Sequence, residues 1–359
     1  MPVMDRRKFL TGAGALALTG CSRTPELEHR RRVNWRMATS WPAGMPILQD
    51  GAELFARKVA DLTNGQFNIE VFAADELMSG FAVFEAASRG DIDCFHSSSY
   101  YWAEKVPGCQ WFSSVPFGLN TQGCLSWLFS GNGMKLWADL YRKHNLIPYP
   151  MGTTGSQMGG WFKDRVETLE DIANLRIRIP GLAGRVYSRL GATVFSLPLS
   201  KIYTAMKDGT INAADWVGPH LDKRMGLDNL APYYYYPGWH EPSGILELGI
   251  NAASFAQLPP DLQAVVKAAA QWVTQYMIAE LSAKNAEALY EIRSGGTVEV
   301  ISFPREIIEV FHRTSEQVLE AEAGKDVMAR TINEDYKRFL ARWVDWGMVE
   351  SVGYFDMMR

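Results

Sequence analysis

The sequence predicts an α/β protein of two lobes with a cleft between them. Three observations carry that expectation. Strands and helices alternate over residues 33–97, the alternation resumes after about residue 146, and one helical pattern runs unbroken from Pro259 to about Ser294. At 359 residues the chain also exceeds the ~100–200 usual for a single core.

In the first segment Val33, Trp35 and Met37 alternate with polar residues, the period of a half-buried strand. Leu48, Ala52, Phe55, Val59 and Leu62 then step by four and three, one apolar helix face, and Asn64-Gly65 supplies the stop. Phe67, Ile69 and Val71 return to period two, and a short helix ending near Gly90 leads to the strand "DIDCF". This order is that of a parallel sheet covered by helices. After a helical stretch around 124–143, "NLIPYP" and "GGWF" read as strands, Val166 to Ile172 as a short helix, and "NLRIRIP" as a strand. "SLPLSKIYTAMKDGTINAADW" is a helix feeding a strand, and "GILELGINAASF" is a strand crossing back to the first lobe. In the long helix Leu262, Val266, Ala269, Val273 and Tyr276 step by four and three; at ~1.5 Å per residue it reaches across two lobes. "TVEVISF" is a strand, and the remainder is helical, with Trp343 and Trp346 on an apolar face. The expected division is 33–155 plus 247–295 for lobe I and 156–246 plus 296–359 for lobe II.

Hydrophobic residues make up 47% and charged residues 21% of the chain, an ordinary globular balance. The formal net charge of −4 offers no basic surface for nucleic acid. Residues 1–20 read as an export address. Arg6-Arg7-Lys8 is a twin-arginine start, and the apolar run Thr11–Thr19 is too short to span a bilayer, which takes ~20 residues. Leu18-Thr19-Gly20-Cys21 resembles a lipobox in which Cys21 is lipidated; Ala15-Leu16-Ala17 fits ordinary signal cleavage instead. By either route the mature protein leaves the cytoplasm. The GxGxxA match at Gly12–Ala17 has no strand before it and lies in the removed segment, so it is not a dinucleotide site. Cys94, Cys109 and Cys124 contain no CxxC pair; one disulfide with a spare thiol and three buried thiols both stay open.

The chemistry-bearing residues cluster at strand ends. In "NLRIRIP" the core residues Leu175, Ile177 and Ile179 put Arg176 and Arg178 on the opposite face, with Arg178 at the carboxyl end where open α/β sheets bind ligands. A guanidinium there clamps a carboxylate through two hydrogen bonds, although two solvated arginines give the same pattern. "TTGSQMGGWF" (153–162) is glycine-rich without the Lys-Ser/Thr of a phosphate loop, and offers Gln157 as an amide ligand or else a simple turn. "NAADWVGP" places Asp215 and Trp216 at a strand end, where a core tryptophan with a capping aspartate is the plainer account. "SSSYYW" (97–102) either lines a cleft or caps a helix. Glu241 stands in "PYYYYPGWHEPSG", among aromatic groups that favour its neutral form. His240-Glu241 is not HExxH, no serine sits in GxSxG, and the six histidines are scattered, so neither a zinc protease nor a serine hydrolase is indicated.

Taken together, "TSWP", "GQFNIEVFAADEL", "SSSYYW", "VPFGLN", "GSQMGGWF", "NLRIRIPG", "AADWVGP" and "YYYYPGWHEP", in this order, resemble the substrate-binding proteins of tripartite ATP-independent periplasmic (TRAP) transporters. "QMGGW" with "GWHEP" is similar to the subgroup that binds 2-oxo acids such as pyruvate, or lactate, together with a metal ion. The resemblance covers essentially the whole mature chain and implies a two-lobed periplasmic binding protein fold, with a long helix spanning both lobes. It implies that Arg178 salt-bridges the substrate carboxylate and that Gln157, the Trp216 carbonyl and Glu241 ligate the cation, sodium or alternatively calcium. Tyr100 and Tyr101 would line the pocket, and the tyrosine run would wall and desolvate it, although most of its rings are more simply core packing. A cation neutralising Glu241 makes its burial feasible, and all-oxygen coordination suits a hard ion. Implied partners are the small carboxylate, the membrane permease subunits and, in some relatives, a second copy joined through the C-terminal helices. Where several relatives have Asn this chain has Thr153, which removes an amide donor. The rival classes are an exported enzyme, for which the chain has neither a cofactor motif nor a nucleophile–base pair, and a sensor's binding protein using the same pocket.

Overall fold

The computed structural model describes residues 32–197 and 199–358; the leader (1–20), both cleavage sites and Cys21 lie outside the described residues. Among the described residues there are eleven strands: β1 (Val33–Thr39), β2 (Phe67–Phe72), β3 (Cys94–Ser97), β4 (Leu146–Thr153), β5 (Gly160–Phe162), β6 (Arg176–Arg178), β7 (Thr193–Phe195), β8 (Ala213–Ala214), β9 (Tyr233–Tyr236), β10 (Ile245–Asn251) and β11 (Glu299–Ser302). They form two sheets, ordered β2-β1-β3-β10-β4 and β11-β9-β5-β8-β6-β7, one for each expected lobe. Neither sheet is purely parallel. β10 runs antiparallel to β3 and β4, and β5 antiparallel to β8 and β9. Both exceptions arise where the chain passes from one lobe to the other and enters the next sheet in the reverse sense.

The two crossings, 154–159 and 237–244, run side by side. Thr154 N donates to Gly244 O (2.8 Å), Gln157 N to Glu241 O (3.1 Å) and Gly159 N to Tyr235 O (2.7 Å). At Gly238 a Cβ would stand 2.1 Å from the Gln157 carbonyl oxygen, so the close approach of the crossings requires glycine there. The hinge and the segments carrying Gln157 and Glu241 are therefore the same piece of structure.

The long helix is Pro260–Gly295, 36 residues, or ~54 Å at 1.5 Å per residue. It packs on β4 and helix Leu48–Leu62 of the first lobe and on helix Pro219–Arg224 of the second. Leu262, Val266, Ala269 and Val273 are buried as expected, but the face continues through Met277 and Leu281. Tyr276 instead stacks on Trp272 at the surface, because a 3.6-residue period drifts off a strict four-three step. Leu62 is likewise exposed at the frayed end of its helix.

Three other expectations change. The helix expected over Val166–Ile172 is Leu169–Ala173: Thr168 Oγ1 accepts from Asp171 N while the Asp171 carboxylate accepts from Thr168 N, a capping box that fixes the start. The tyrosine run is β9 rather than a wall of the ligand cavity. Tyr234 stacks on Trp161 and donates to Asp222, and Tyr235 packs on Phe303, so both rings belong to the second lobe's core. Finally, helix Arg305–Ala323 packs on helix Gly181–Arg189 of the second lobe, but helix Val327–Gly347 packs on helices Thr121–Ser130 and Gly133–Tyr141 of the first. Its Asn333 and Asp335 accept from Trp111 Nε1 (3.2 Å) and Trp127 Nε1 (2.9 Å), and Leu119 N donates to Tyr336 Oη (2.7 Å). The C-terminal segment thus ties the lobes together rather than belonging to the second alone. Trp343 lies half-buried against this core and Trp346 is exposed. Cys94, Cys109 and Cys124 are buried free thiols.

Glu247, on β10 in the centre of the first sheet, is fully buried. Tyr141 Oη donates to one carboxylate oxygen (2.8 Å), while Oε1 has no partner among the described residues. Burial pushes this carboxyl well above the usual range, the Tyr141 hydrogen bond opposing it only in part. A group raised on folding contributes stability that is fully present below its unfolded pKa, ~4.3, and is lost as pH rises towards the folded value. Glu247→Gln should keep the Tyr141 bond and remove that loss. Its stability relative to wild type should rise with pH by up to ~1.4 kcal/mol per unit above ~4.3. Urea unfolding at pH 5 and pH 8 checks this, and a pH-independent difference contradicts it.

Candidate functional site

Arg178 occupies the carboxyl end of β6, between the buried Ile177 and Ile179. Arg176, two residues earlier, is exposed and reaches the Gly209 and Thr210 carbonyls, so the two arginines on one face have separate fates. Arg178 is only 5% exposed, and two of its three nitrogens are already engaged. Nε donates to Leu197 O (3.3 Å) and Nη1 to Asp215 O (2.9 Å), while Cζ lies 5.7 Å from the Trp216 ring centroid. Nη2 has no hydrogen-bond partner among the described residues.

Glu241 arrives from the second crossing and is 5% exposed. Gln157, from the first crossing, donates through Nε2 to Glu241 Oε2 (2.6 Å) and to Thr154 Oγ1 (3.1 Å). Burial, reinforced by the negative Asp215, drives the Glu241 carboxyl upward against the opposing pull of His240 and Arg178. Gln157 Oε1 and Trp216 Nε1 are enclosed without any hydrogen-bond partner. Such groups cost about 1–3 kcal/mol each when left unmet. A lone-pair donor, the Gln157 amide oxygen, and a carboxylate held side by side in this way fit a cation. No group of three His, Cys, Asp or Glu that could hold a metal ion occurs among the described residues; a cation beside Glu241 and Gln157 would meet oxygen ligands. That is a donor set for a hard ion.

Arg178, Gln157, Tyr100, Tyr101, Trp216 and Glu241, all singled out in the sequence, line one inner cavity of about 20 Å³, together with Trp41, Ser98 and Thr154. A void of this size has room for about one water or small ion. Trp41, both tyrosines, Arg178 and Trp216 also border a larger chamber of about 810 Å³, lined further by Phe81 and Leu182. The 3₁₀ turn Ser99–Trp102 after β3 presents Tyr100 and Tyr101, whose rings meet edge to face at 4.8 Å. Thr153 lies outside the inner cavity: its hydroxyl accepts from Gly155 N (2.9 Å) and steadies the crossing turn. The residue after it, Thr154, faces the cavity, and only its place in "TTGSQ" could have pointed to it.

Asp215 does not cap the following helix. That helix has no side-chain cap; Asp222, within it, accepts from Val217 N (3.0 Å), while Asp215 Oδ1 pairs with His240 Nε2 at 2.9 Å. Burial alone would lower His240, but the Asp215 carboxylate outweighs it and the net direction is up.

A cleft between two α/β lobes, with a guanidinium and a carboxylate buried at its inner end beside the hinge, is the arrangement of a two-lobed solute-binding protein. Residues 37–326 match the model of the bacterial extracellular solute-binding protein family 7, and the chain belongs to that family. It is an extracytoplasmic solute-binding protein of the TRAP transporter type and not an enzyme. It is 39% identical, over 98% of both chains, to a monocarboxylate 2-oxoacid-binding periplasmic protein from Nostoc sp. PCC 7120. Among solved structures it resembles a TRAP solute-binding protein from Pseudoalteromonas atlantica with bound sodium and pyruvate, at 32% identity, TM-score 0.87, covering 90% of this chain and 99% of that one. A Colwellia psychrerythraea protein with bound calcium and pyruvate gives 33% identity and TM-score 0.88 over 90% and 99%. A Bordetella bronchiseptica protein, a dimer with copurified calcium and picolinate, gives 32% identity and TM-score 0.88 over 91% and 97%. No helix among the described residues is long and apolar enough to cross a membrane.

Proposed function

We propose that this protein captures a 2-oxo monocarboxylate such as pyruvate as a metal-ion chelate and delivers it to TRAP permease subunits in the membrane. The observation that carries this reading is the enclosed pair of Glu241 and the unmet Gln157 Oε1, lining one cavity with Arg178, whose Nη2 is unengaged among the described residues. Arg178 takes the carboxylate; Glu241, Gln157 and the Trp216 carbonyl hold the cation, which supplies positive charge towards the acid's own oxygens. Sodium and calcium are both hard ions and both occur with pyruvate in similar proteins. A 2-hydroxy acid such as lactate with calcium is the second reading, since a hydroxyl also offers an oxygen to the cation. Tyr100 and Tyr101 close the cavity from the first lobe.

The test is thermal unfolding of metal-stripped protein with pyruvate, 2-oxobutyrate, 2-oxoisovalerate, lactate and succinate, each with sodium, with calcium and with neither. A ligand at ~100 times its Kd adds ~2.7 kcal/mol of stability. The reading expects monocarboxylates to raise Tm only when a cation is present; a response confined to succinate, or indifferent to cation, overturns it.

The exported form is proposed to follow the twin-arginine route and to be anchored at Cys21. Mass spectrometry of the mature N-terminus distinguishes a lipidated Cys21 from cleavage after Ala17. Trp346, Met348, Val349, Phe355 and Met357 are exposed on the terminal helical segment, an apolar surface that a second copy would cover, as suits the dimer of the Bordetella relative. Truncation after Gly347 should convert a dimer to a monomer in light scattering. A full-length monomer at tens of micromolar contradicts that pairing.

A further inference from the structure

Two of the three segments that carry the proposed cation ligands are 215–217, which follows β8, and 237–244, the second crossing. Among the described residues a single side chain–side chain hydrogen bond joins them, Asp215 Oδ1 to His240 Nε2 at 2.9 Å. Each partner is the immediate neighbour of a proposed ligand, Asp215 of Trp216 and His240 of Glu241. Both are buried, at 1% exposure each.

Asp215 is also the support of Arg178. Its backbone oxygen accepts from Arg178 Nη1 (2.9 Å), its amide donates to Arg178 O (3.0 Å), and its Oδ2 lies 4.0 Å from Nη1. Around the histidine the backbone is tied to the first lobe, through Phe117 N to Trp239 O (2.7 Å) and Ser114 Oγ to His240 O (3.4 Å). The bond therefore couples the guanidinium, the Trp216 turn and the Glu241 turn.

We propose that the Asp215–His240 pair is a positioning element of the binding site, fixing the spacing of the Trp216 carbonyl, the Glu241 carboxylate and the Arg178 guanidinium before cation and acid arrive. This rests on the chelate reading above. Buried bonds beside ligand groups orient them, and loss of such a support costs 10–100-fold in metal affinity in well-studied sites. Neither residue lines the inner cavity.

The geometry suggests two variants of similar size and polarity. A glutamine at 240 places its amide nitrogen near the position of imidazole Nε2 and keeps the bond; an asparagine reaches only as far as Nδ1 and loses it. The measurements are the sodium or calcium concentration giving half-maximal pyruvate binding, and Tm without cation. His240→Asn should raise the cation midpoint about tenfold or more, whereas His240→Gln should stay within about threefold of wild type. If both lower Tm alike and leave the cation midpoint unchanged, the pair is merely structural and the proposal is overturned. Should His240→Asn not fold, Asp215→Leu removes the acceptor oxygen at similar side-chain size; it too should raise the midpoint, and an unchanged midpoint overturns the proposal. Cation-independent pyruvate binding by wild type instead defeats the chelate reading itself.

Discussion

Arg178→Ala is expected to reduce pyruvate binding by about 2–5 kcal/mol, roughly 30- to 5,000-fold, because it leaves a carboxylate buried without its charged partner. Among the described residues no other basic side chain lines the inner cavity to replace it. The fold should survive. Arg178 is held by two backbone carbonyls, and although the buried Asp215 loses its ion pair at 4.0 Å it keeps His240 as a partner. Isothermal calorimetry with pyruvate in saturating cation reads the loss. Binding within threefold of wild type removes Arg178 from the carboxylate site.

Glu241→Gln should act differently, on the cation rather than on the acid. The substitution keeps shape and removes the charge that a cation would offset. Couplings of this kind run about 1–3 kcal/mol, or 5–150-fold. In wild type the ratio of pyruvate Kd without and with cation should fall in that range, and in Glu241→Gln it should collapse towards one. A ratio as large as in wild type means that Glu241 does not hold the ion.

Much of this site was legible because each proposed ligand sits at an element boundary that the sequence marks. Alternation in "NLRIRIP" placed Arg178 at a strand end, Pro242 and the glycines of 155–160 marked the two crossings, and the order of motifs supplied the rest. What sequence alone could not give were pairings between segments. Asp215 reads as a helix cap until the fold brings His240, 25 positions later, against it. The tyrosine run misleads for a related reason: alternate tyrosines of a strand between two others face two cores, so proximity in sequence to Glu241 is not proximity to its carboxylate. The return of helix Val327–Gly347 to the first lobe was hidden too, since helix periodicity records which face is buried but not against what.

The central claim is that acid and cation bind as one unit. Linkage makes this directly measurable: if the cation raises pyruvate affinity by some factor, pyruvate must raise cation affinity by the same factor. Metal-stripped protein would be titrated with pyruvate with and without sodium or calcium, and with the cation with and without pyruvate. The account predicts equal factors of about 5–150 in the two directions for at least one ion. A factor of one for both ions, with pyruvate still bound, would contradict it.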